Sequence, residues 1–109
     1  TPLHVAAWQS NVRAIKLLLD YGATIDSVNY QIRTPLHIAC MQGGVSTTSF
    51  LLARGASDSS RSFAGETAAM QAAICGKIEI IDLLNKRGTN LSSTGGQGNS
   101  LLHYAARGG

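Results

Sequence analysis

A 33-residue period constrains this chain more than any other feature. Thr1-Pro2-Leu3-His4-Val5-Ala6-Ala7 returns as Thr34-Pro35-Leu36-His37-Ile38-Ala39-Cys40. It returns again as Thr67-Ala68-Ala69-Met70-Gln71-Ala72-Ala73, and once more as Ser100-Leu101-Leu102-His103-Tyr104-Ala105-Ala106. Self-similarity at a fixed spacing implies a stack of small units, none able to bury its apolar face alone. A stack displays a surface, so function is sought in what that surface binds rather than in a catalytic cleft.

Each unit has local signals for two helices. Thr1 is a good N-cap, and Pro2 suits the first helical position, where a missing N–H costs nothing. Leu3, Ala6 and Ala7 fall on one face of the short helix that follows, its alanines allowing a neighbour to approach closely. After a break at Ser10-Asn11, Val12 to Leu19 places apolar residues at helical spacing, and Gly22 supplies a left-handed C-terminus. Ala23 to Arg33 is polar and β-capable and reads as an extended, hairpin-like connection.

Slots that keep their character across copies are expected to be architectural. They include Leu17/Phe50/Leu83, Leu18/Leu51/Leu84, Val12/Val45/Ile78, Gly22/Gly55/Gly88 and the alanine pair with Cys40 as a variant. Burial of each large aliphatic contributes about 1.5–3 kcal/mol, so such layers are expected to hold the stack together.

The period, the helix pairs and the repeated Thr-Pro-Leu-His-x-Ala resemble the ankyrin repeat. The resemblance covers the whole chain as one array: units 1–33, 34–66 and 67–99 and the opening helix of a fourth, 100–109. It implies an all-α repeat solenoid, a helix-turn-helix stack with β-hairpin-like loops. In this family the inner helices and loop tips line a concave surface that binds other proteins, and the histidine makes hydrogen bonds bridging helix N-termini. The chain opens on the first residue of a unit and ends without a cap, since Leu102, Ala105 and Ala106 have no polar cover. It is therefore expected to be a piece of a longer array.

Several positions depart from the family pattern. The third unit has Ala68 for the proline and Met70 for the histidine. In the second, Ser46-Thr47-Thr48-Ser49 opens the outer helix with poor helix formers, which predicts the weakest helix there. The glycine expected near each loop tip is Gly65 and Gly98 but Ile32 in the first unit, where either the turn differs or Ile32 projects as a contact. The loop from Thr94 to Asn99 is glycine-rich and is expected to be the most mobile.

Other chemistries find little support. The net charge of +3 comes from scattered basic residues with no run or single basic face, which argues against nucleic acid. No apolar run spans a bilayer, so membrane insertion is not expected. Cys40 and Cys75 lack metal-ligand spacing and read as free thiols, which places the chain inside the cell, in cytoplasm or nucleus. His4 and His37 stand one unit apart, about 10 Å in a helix stack, and His103 stands two units beyond His37, too far to share an ion. Gly95-Gly96-Gln97-Gly98 lacks the Lys-Ser/Thr of a phosphate-binding loop. No cofactor, metal or catalytic set is expected, and a single segment of this kind is expected to be monomeric.

The functional signal lies in slots that do not repeat. The eighth holds Trp8, Met41, Ile74 and Arg107, and the ninth Gln9, Gln42, Cys75 and Gly108. The thirtieth holds Tyr30, Phe63 and Gly96, and the last Arg33, Glu66 and Asn99. The resemblance puts these slots on the concave side, where Trp8, Met41 and Ile74 form an apolar stripe flanked by Tyr30 and Phe63. Arg33 and Glu66 lie on the rim, and Arg61 and Arg107 add positive charge that suits an acidic partner. The expected function is non-enzymatic binding of a protein or peptide. The alternatives are that these side chains fill packing gaps, that the segment is a spacer within a longer array, or that it recruits substrate for a larger enzyme, channel or ligase adaptor.

Overall fold

A computed structural model describes residues 1–42 and 44–89. Six helices follow one another: α1 (Pro2–Trp8), α2 (Val12–Asp20), α3 (Pro35–Gln42), α4 (Val45–Ala53), α5 (Ala68–Ile74) and α6 (Ile78–Lys86). They form three helix pairs in the predicted order of short helix, tight turn, longer helix and loop. The loop from Thr94 to Asn99 and the segment from Ser100 to Gly109, with His103 and Arg107, lie outside the described residues.

Local chemistry sets the helix ends. Thr1 Oγ1 accepts from the His4 N–H, Thr67 Oγ1 from the Met70 N–H, and Asn11 Oδ1 from the Ala14 N–H. Gly22, Gly55 and Gly88 follow the second helices with φ of 94°, 94° and 84°, a left-handed conformation that glycine adopts without a Cβ clash. Neither the absent proline nor the absent histidine keeps α5 from forming. Despite its Ser/Thr opening, α4 runs its full length, although Gly44 gives it no side-chain cap.

The inner helices pack side by side in the order α1, α3, α5, while the outer helices touch one another less. Between two neighbours, α3 buries every residue from Pro35 to Cys40. Leu3, Leu36, Ile15, Leu51, Ile80 and Leu84 make the centre of the core with the close-packed alanines. Two slots expected to hold the stack together do so only in part, Phe50 still packing against the core. Leu17 is 53% exposed, Phe50 and Leu83 are half-buried, and Val45 and Ile78 are exposed, the latter at 65%. An outer helix has one inner helix beneath it and only sparse outer neighbours, so a narrow stripe of it is covered.

No strand forms among the described residues; the loops are hairpin-like only at their tips. The Asn29 N–H donates to the Arg33 carbonyl and the Ile32 N–H to the Asn29 carbonyl. The same pair recurs from Ser62 to Glu66 and from Gly65 to Ser62. The first turn is therefore the same as the second. Ile32 takes a φ of 56° where Gly65 takes 78°. The alternative of a different turn is thus overturned; the isoleucine adopts the glycine conformation instead.

Adjacent units are also tied through their loops. The Ser57 N–H donates to Asp26 Oδ1 at 3.0 Å, and Thr89 Oγ1 donates to Asp58 Oδ2 at 2.8 Å. Phe63 N–H donates to the Gln31 carbonyl at 2.8 Å, joining the two described loop tips.

Candidate functional site

The two described histidines, His4 and His37, are structural. In the second unit the Thr34 N–H donates to His37 Nδ1 at 3.2 Å, so Nδ1 is unprotonated and the ring carries its proton on Nε2. The Thr34 hydroxyl also donates to Nδ1, at 2.9 Å. Nε2–H then donates to the Glu66 carbonyl at 2.8 Å. His4 repeats the arrangement, pairing with Thr1 Oγ1 and donating from Nε2 to the Arg33 carbonyl, both at 2.6 Å. Each ring thus fastens the start of its own unit to that unit's last carbonyl. Burial pushes the pKa of His37 and His4 below the usual histidine value, outweighing the carbonyl bonds. Cys40 is buried and its thiol is pushed up to about 12 by that burial, far from a reactive thiolate. No group of three His, Cys, Asp or Glu side chains able to hold a metal occurs among the described residues.

The non-repeating slots are open to different degrees. Trp8 closes α1 and is 55% exposed; Tyr30 and Phe63 stand at the loop tips, Tyr30 fully exposed and Phe63 82% exposed. Gln9 and Gln42 are exposed beside the helix ends. Met41 and Ile74 are partly drawn inward, Met41 against the main core and Ile74 against Met70 and Ala73. For these two, the packing alternative holds in part. Because α1, α3 and α5 pack in order, Trp8, Met41 and Ile74 occupy matching ends of adjacent helices.

The charged positions are less free than their slots suggest. Arg33 donates from Nη1 to Gln31 Oε1 at 2.7 Å, and Arg61 from Nη1 to the Gly65 carbonyl at 2.7 Å. Glu66 Oε1 accepts from Gln71 Nε2 at 2.8 Å across the unit boundary. Gln71 occupies the slot of Val5 and Ile38, so no repeat pattern announces this bond.

Two recesses adjoin these residues. One, of about 340 Å³, lies among Gln42, Gly76 and the start of α6 from Lys77 to Ile80. Another, of about 410 Å³, is lined by Thr1, Val28, Asn29 and Tyr30. The sequence gives Val28 no role, and the left-handed turn leaves Ile32, one of the two alternatives for this loop tip, 43% exposed.

The first two helix pairs carry a family likeness. Residues 3–52 match the family model for "Ankyrin repeats (many copies)". That stretch is identified as ankyrin repeats. The third helix pair continues the same period and the same packing beyond the matched stretch. Ankyrin repeats generally serve as protein-interaction modules and are typically non-enzymatic. No curated protein matches the chain. No helix of the described residues is long and apolar enough to cross a membrane.

Proposed function

We propose that this ankyrin array holds a partner protein or peptide on the surface made by its inner-helix ends and loop tips. The observation that carries the reading is the contrast between slots. Repeated apolar slots such as Leu3/Leu36 and Leu51/Leu84 are buried, whereas the non-repeating Trp8, Tyr30 and Phe63 stand open. Aromatic anchors of this kind carry much of the energy at interfaces, each contributing about 2 kcal/mol or more when buried. Met41 and Ile74 extend the apolar strip, Gln9 and Gln42 offer hydrogen bonds, and Arg33, Arg61 and Glu66 border it. Held on packed helices and on hydrogen-bonded loop tips, these groups lose little freedom on binding. The free thiols of Cys40 and Cys75 suit a reducing compartment, cytoplasm or nucleus.

The test is comparative affinity capture with the intact chain and a Trp8→Ala/Tyr30→Ala/Phe63→Ala variant, both verified as folded by circular dichroism. Specific partners are expected on the intact chain and not on the variant. Identical capture by both defeats the reading and favours a spacer within a longer array.

A further inference from the structure

We infer that Ile32 is a contact residue of the proposed surface, and that with Tyr30 and Phe63 it receives an extended apolar segment flanked by acidic residues on a partner protein. The inference rests on the interaction reading above and adds to it a residue and a partner chemistry.

The chain supplies its own control. Turns 29–33 and 62–66 share their backbone hydrogen bonds, and Gly65 satisfies the second with no side chain. The turn therefore does not require isoleucine. A β-branched residue at positive φ is a genuine outlier, because Cβ crowds its own backbone. Packing does not account for it, since Ile32 is 43% exposed and belongs to neither core cluster. The surrounding loop is instead built to hold it. Asn29 Oδ1 accepts from both the Gln31 and Arg33 N–H groups, at 2.9 and 3.0 Å. Ser62, at the same slot of the second unit, offers one long bond of 3.4 Å from the Glu66 N–H. Backbone strain that is over-determined by its surroundings is characteristic of functional positions.

The neighbours define what Ile32 can meet. Tyr30 stands two residues away, and the Phe63 N–H is bonded to the carbonyl of Gln31, the residue before Ile32. Three large apolar side chains therefore project from two linked loop tips. Arg33 and Arg61 border them, while the Glu66 carboxylate is engaged by Gln71. Apolar centre and cationic border complement a segment with apolar residues inside an acidic flank.

Fluorescence anisotropy with labelled synthetic decapeptides provides the test. Each peptide carries one leucine and one phenylalanine at its centre, with flanks of Asp/Glu, Lys or Ser. The acidic-flanked peptide should bind tightest and weaken as salt rises from about 0.05 to about 0.5 M. Ile32→Gly should lower that affinity about fivefold or more while the melting temperature stays level or rises. Ile32→Asn, which also tolerates this backbone, should behave likewise. Equal binding by Ile32→Gly, a fall in its melting temperature, or indifference to peptide charge overturns the inference. Loss of binding in Trp8→Ala with none in Ile32→Gly overturns it while leaving the proposed function intact. If no peptide binds, the inference fails, and the capture experiment decides separately on the function.

Discussion

At the scale of single residues, short polar side chains do much of the organising. Thr1 and Thr34 each cap a helix and also orient a histidine ring whose far nitrogen reaches the last carbonyl of the unit. Asn29 gathers two backbone N–H groups on one oxygen and holds Ile32 in a conformation that costs an L-residue about 1–2 kcal/mol. Asn29→Ala should therefore destabilise the chain by about 1–3 kcal/mol, since it removes two hydrogen bonds that oppose that strain. Urea denaturation measures the loss. The Asn29→Ala/Ile32→Gly double variant should recover part of it, because glycine needs no such restraint. The Thr1 cap was legible in the sequence because its bond spans three residues, whereas Asn11, which caps α2 over the same span, was read only as a break. The Glu66–Gln71 bond was not, since Gln71 occupies a slot that is apolar in Val5 and Ile38 and aromatic in Tyr104.

At the scale of elements, the apolar period disclosed which face of each helix was greasy but not which faces would find a neighbour. Leu17 and Ile78 keep their character across copies yet face water, because the outer helices scarcely touch. The inner helix α3 shows the opposite case, with a continuous buried run from Pro35 to Cys40 that matches no amphipathic pattern. Thr48 is the most informative residue of α4. It sits fully buried in the slot of Ile15, its hydroxyl beside the Cys40 thiol without an aligned hydrogen-bond partner among the described residues. Thr48→Val keeps the shape and removes the desolvated hydroxyl, so it should stabilise the chain by about 1 kcal/mol. A higher urea midpoint with an unchanged slope is the expected result. An unchanged midpoint would mean that the thiol satisfies the hydroxyl. The proposed binding surface was suggested by identity that varies between copies, whereas Leu17 shows that a kept character does not by itself mean burial.

At the scale of the whole molecule, the first two units are each closed by a neutral histidine, while Met70 gives the third no ring nitrogen for this purpose. This makes stability depend on pH with a definite sign. His4 and His37 have folded pKa values below the ordinary 6.5, so the unfolded chain takes up their protons first. Their contribution is complete above pH 6.5 and is lost as pH falls from there through the folded values. Urea midpoints compared at about pH 7.5 and about pH 5 should fall with acidification, and His37→Gln should show a shallower dependence. An identical dependence in the variant would assign the effect to other groups.

The histidine bond also governs which changes of length the chain can absorb. Its two ends, residues 4 and 33 or 37 and 66, lie 29 positions apart within one unit. A residue inserted or deleted between them moves the carbonyl away from the ring. A cut after residue 33 or 66 separates no histidine from its acceptor. The fastening therefore works as a measuring device, rejecting growth by single residues and admitting growth by whole copies. Duplication or removal of 33-residue blocks leaves every remaining clasp intact.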